Sequence, residues 1–69
     1  MTHRERVLLY MREHGSISSM EAFQDLGVTR LSAAIFDLKR DGHEIKTQRE
    51  RTVNRFGEKV YFARYSLAD

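Results

Sequence analysis

The sequence predicts a small α+β domain in which three helices precede a two-stranded antiparallel hairpin. Three observations carry that prediction. Apolar residues recur at helical spacing as far as residue 41, they alternate with period two beyond it, and Gly15, Gly27 and Gly42 stand at the joints. A chain of 69 residues suffices for one core and not for two, so a single domain spanning 1–69 is expected.

Thr2 followed by Glu5 has the form of a capping box and opens a first helix over about 3–14, with Val7, Leu8 and Met11 on one face. Ile17, in the connector after Gly15, is placed to add one brief strand. Ser18 and Glu21 repeat the capping-box form ahead of a second helix over about 19–26, in which Met20, Phe23 and Leu26 are expected to face inward. Gly27 then turns the chain and Val28 plugs the turn. Thr29 is the expected N-cap of a third helix over about 30–41, where Leu31, Ala34, Ile35 and Leu38 follow i, i+3, i+4, i+7. Gly42 ends it, and Lys39 and Arg40 in the last turn favour the helix dipole.

Strands are expected over about 43–50 and 59–67. Tyr61 and Tyr65 fall on one strand face, read as core, while Val60 and Phe62 fall on the other, where they either pack under the hairpin or form an exposed apolar patch. The segment from Thr52 to Glu58 reads as a long, mobile tip in which Phe56 packs on Val53.

Composition narrows the function classes. The chain has no cysteine, so it forms neither a disulfide nor a thiolate metal site, and His3, His14 and His43 are scattered singly. No metal and no cofactor is expected. No apolar run approaches the roughly 18 residues of a membrane span, which predicts a cytoplasmic protein with no membrane partner. Catalysis finds no candidates either. Ser16, Ser18 and Ser19 have turn and cap roles, His43 and Glu44 are neighbours that a strand would point to opposite faces, and no glycine-rich phosphate loop appears. The expectation is a protein that is not an enzyme.

Charge is uneven. Residues 46–64 carry Lys46, Arg49, Arg51, Arg55, Lys59 and Arg64 against Glu50 and Glu58, a net of +4 within a chain whose total is +2. A local cationic surface of this kind suits a polyanion.

The run Gly27-Val28-Thr29-Arg30-Leu31-Ser32-Ala33-Ala34-Ile35-Phe36-Asp37-Leu38, followed by Gly42-His43-Glu44-Ile45, resembles small winged helix-turn-helix DNA-binding domains common in phages and prophages. Tyr65-Ser66-Leu67 matches that family's closing strand, so the resemblance spans almost the whole chain. Two positions depart from it: Ala34 stands where the family often has arginine, and Phe23 where many helix-turn-helix units have a small alanine.

The resemblance implies binding to double-stranded DNA, with the third helix in the major groove and the hairpin, or wing, on the backbone or minor groove. Thr29, Arg30, Ser32, Ala33 and Asp37 would face outward. Arg30 suits a bidentate contact to guanine, Ser32 and Thr29 phosphate or base bonding, and Ala33 a thymine methyl, while Asp37 is expected to pair within the protein. Arg49, Arg51, Arg55 and Lys59 would meet phosphates. Arg4, Arg6 and Arg12 are read as solvating charges. The outcome expected is a phage or bacterial transcription regulator or accessory DNA-binding factor, with homodimerisation across a two-fold site extending its small contact surface. The alternative is a winged-helix interaction module with a host or phage protein as partner, for instance a phage inhibitor of a host protein.

Overall fold

A computed structural model describes residues 1–68. The first helix, α1, spans His3–His14, and the Thr2 hydroxyl caps it by accepting from the Glu5 amide at 3.2 Å. A short strand, β1 (Ile17–Ser18), follows and leads directly into α2, Ser19–Leu26. Here the capping box is complete. The Ser18 hydroxyl accepts from the Glu21 amide at 3.3 Å, and the Glu21 carboxylate accepts from the Ser18 amide at 2.9 Å.

Gly27 adopts φ 69°, a left-handed conformation open to glycine at little cost, and this lets its amide donate to the Phe23 carbonyl and that of Val28 to the Ala22 carbonyl. Two residues, Thr29 and Arg30, separate Val28 from helix α3, Leu31–Arg40. It ends in a Schellman motif: the His43 amide donates to the Leu38 carbonyl and the Gly42 amide to that of Lys39, both at 3.1 Å, with Gly42 at φ 103°.

The chain then forms β2 (Ile45–Val53) and β3 (Lys59–Leu67), paired antiparallel from Ile45↔Leu67 to Val53↔Lys59. β1 joins the other side of β3 through Ile17↔Tyr65 and Ser18↔Arg64, giving the sheet order β1-β3-β2. β2 starts two residues later than the alternation predicts and runs three further, so His43 and Glu44 lie ahead of the strand.

The core gathers Val7 and Met11 of α1, Ile17, Ala22, Val28, and the α3 stripe Leu31, Ala34, Ile35 and Leu38. Leu26, Ile45, Tyr65 and Leu67 pack around it.

Four expectations are corrected. α2 turns Ala22 inward, fully buried, and leaves Met20 and Phe23 65% and 58% exposed. Its phase is fixed by Glu21, whose carboxylate caps the helix and also accepts from Arg64 Nη1 on the sheet at 2.8 Å. The small residue needed for close helix packing is therefore Ala22, so Phe23 does not occupy that position. The N-cap of α3 is Arg30, with no side-chain bond, and not Thr29. Tyr61 lies on the expected strand face but outside the core cluster, and is exposed where Tyr65 is packed. Phe56 does not anchor on Val53: the two are 78% and 59% exposed. Asn54 organises the tip instead, its side-chain oxygen accepting from the amides of Phe56 and Glu58, so the connection is a five-residue hydrogen-bonded turn over residues 54–58.

Candidate nucleic-acid interface

Two exposed surfaces carry the residues singled out from the sequence. The first is the outward side of α3 and the turn before it. Burial of Leu31, Ala34, Ile35 and Leu38 forces Ser32 and Ala33 to the opposite side, and Thr29 and Arg30 are exposed in the turn. With no side-chain cap on α3, its first-turn amides keep the partial positive charge of a helix N-terminus unshielded.

Arg30 and Ala33 line a cleft of about 450 Å³ together with Thr2, Arg4 and Asp37, where the start of α1 meets α3. Arg4 thus stands at this cleft, its exposed guanidinium 3.5 Å from Asp41. Sequence spacing held no sign of this, because the approach of α1 to α3 is a tertiary fact. Asp37 pairs within the protein as expected, accepting from Arg40 Nη2 at 3.1 Å.

The second surface is the wing. Register places Arg49, Arg51 and Lys59 on one face with Tyr61 and Val53, and the Arg49 guanidinium lies 5.8 Å from the Tyr61 ring centroid. Arg55 sits at the exposed tip. Among the described residues, Arg30, Arg51, Arg55 and Lys59 make no ion pair, so their charge is open to an external anion.

The opposite wing face differs in kind. Arg64 there bridges Glu21 of α2 at 2.8 Å, Glu50 of β2, and the Ser16 hydroxyl at 3.1 Å. Burial works against its charge, but the hydrogen bonds to Glu21 and Glu50 outweigh that cost and raise its pKa further. Arg64 is therefore a structural cation. Beside it Met20, Val60 and Phe62 line an apolar groove of about 530 Å³, with Met20 and Val60 exposed and Phe62 half-buried.

The residue that sequence reasoning missed is Phe36, 62% exposed on the outward side of α3. Its signal was present, since it falls outside the i, i+3, i+4, i+7 stripe that defines the buried face.

Three helices, a helix-turn-helix with an exposed second helix, and a cationic hairpin define the class of a winged-helix nucleic-acid-binding domain. A family model for the winged helix-turn-helix domain matches residues 2–69, and the chain belongs to that family. No curated protein and no solved structure gives a significant match. Membership indicates DNA as the partner. Among the described residues, no helix is long and apolar enough to cross a membrane.

Proposed function

We propose that the protein binds double-stranded DNA, with α3 in the major groove and the wing on the backbone or minor groove, and serves without catalysis as a cytoplasmic transcription regulator or accessory DNA-binding factor of a phage or bacterium. The observation that carries this reading is the pairing of an exposed, uncapped α3 N-terminus with a wing face whose cations make no ion pair among the described residues. A helix fits the major groove with its N-terminal side chains at the base edges, and unpaired cations release counterions from phosphates. In this reading Arg30 contacts bases, Thr29, Ser32 and Ala33 complete the helix contact, and Arg49, Arg51, Arg55 and Lys59 hold the backbone.

The test is fluorescence anisotropy with a random-sequence duplex at two salt concentrations. Binding that weakens steeply as salt rises supports the reading. No binding at low salt rejects it.

A second reading, an interaction module for a host or phage protein, is favoured by the groove between Met20, Val60 and Phe62. It predicts co-purification with one protein after nuclease treatment, lost on Phe62→Asp, together with no affinity for duplex.

A further inference from the structure

The polar groups on the base-reading side of α3 are concentrated at its N-terminal end, in Thr29, Arg30 and Ser32. At about 100° per residue, Ala33, Phe36 and Arg40 lie within about 30° of the direction opposite the buried stripe. The middle of the outward side is thus a methyl group and a phenyl ring. Phe36 is 62% exposed, whereas the four stripe residues are between 2% and 5%.

Arg40, exposed at the C-terminal end of the same side, borders the apolar patch and does not cover it. Its guanidinium is held by Asp37 at 3.1 Å, and its Cζ lies 5.8 Å from the Phe36 ring centroid. The exposed Asp37–Arg40 pair flanks the ring on one side and leaves its remaining surface outward.

The major-groove floor offers one apolar group, the thymine 5-methyl, among its donors and acceptors. Resting on the DNA-binding reading above, we infer that Phe36, with Ala33 beside it, is a specificity-determining residue that reads thymine 5-methyl groups in the major groove. Removing one buried methyl weakens binding about 4-fold.

The experiment starts from duplexes that the wild-type protein retains from a random pool. Each thymine of a retained site is replaced singly by deoxyuridine, which deletes the methyl and nothing else. The wild type is expected to bind about 3- to 5-fold more weakly at one or two positions. Phe36→Ala is expected to bind the unmodified site more weakly, to lose that methyl sensitivity, and to keep the wild-type slope of affinity against salt. Its far-UV circular dichroism should be unchanged, because the ring is largely outside the core.

Salt-sensitive duplex binding with no methyl dependence overturns this inference alone, as does a Phe36→Ala variant that keeps full methyl sensitivity. A pool from which no duplex is retained overturns the DNA-binding reading as well.

Discussion

Tyr10 shows how one contact sets a pH limit. Its hydroxyl donates to Asp25 Oδ2 at 2.7 Å, joining α1 to α2, and this bond, aided by desolvation and the charge of Asp25, pushes the phenol up to about 12 from its ordinary 10.0. The neutral phenol is the favoured form in the folded state. Its contribution to stability is therefore complete below pH 10 and is lost as pH rises through about 12. Titration of tyrosinate absorbance should show one of the three tyrosines ionising late, and Tyr10→Phe should abolish the late step. A late step that survives the substitution would reject the assignment. Arg64 acts at the same scale, tying Glu21 and Glu50 across three chain segments. Arg64→Met should lower stability by about 1 kcal/mol, since its partners are a third or more exposed and can recover solvation. Thermal unfolding at neutral pH measures it, and a midpoint equal to the wild type's would show the network to be idle.

Elements behave as the residues at their ends require. Ser18 is buried, caps α2 and pairs with Arg64 in the sheet, so Ser18→Ala should cost about 1 kcal/mol and lower the melting midpoint by roughly 4–8 °C. For α3 and the wing, Arg30→Ala should relax sequence preference at the base it contacts, while Arg51→Ala and Arg55→Ala should weaken all duplexes alike. Anisotropy titrations against a retained site and a scrambled one separate the two effects. The periodicity of α3 was legible because four stripe residues at i, i+3, i+4, i+7 admit one phase. α2 was not. In eight residues Met20, Ala22, Phe23 and Leu26 fit two phases, and the choice was made by Glu21 reaching Arg64, a partner 43 positions away. Separation in sequence likewise hid Arg4, which enters the α3 cleft only once α1 has docked. The wing cations were visible as residues, but the separation of Arg49, Arg51 and Lys59 on one face from Arg64, held by Glu21 and Glu50 on the other, depended on the register with β3.

At the scale of the molecule, extents of 39 × 23 × 20 Å match a hairpin about 30 Å long carried on a compact helical base. The four wing cations Arg49, Arg51, Arg55 and Lys59, none of them in an ion pair among the described residues, imply that log affinity for duplex falls with log salt at a slope of about −4. A slope near zero would show that the wing does not meet phosphate. Homodimerisation across a two-fold site, the other route to a larger contact area, would appear in sedimentation as twice the 8.1 kDa monomer mass. The Schellman turn at Gly42 adds a constraint of parity. Only His43 and Glu44 separate it from Ile45, so the count of residues from helix end to strand is fixed by the core position of Ile45. Inserting a single residue there would rotate every β2 side chain to the other side of the sheet, presenting Lys46, Gln48 and Glu50 where Arg49 and Arg51 now stand. The molecule would gain no charge while turning a neutral seam in place of a doubly cationic one toward the anion, so the spacing of two residues decides whether β2 offers the anion any net charge at all.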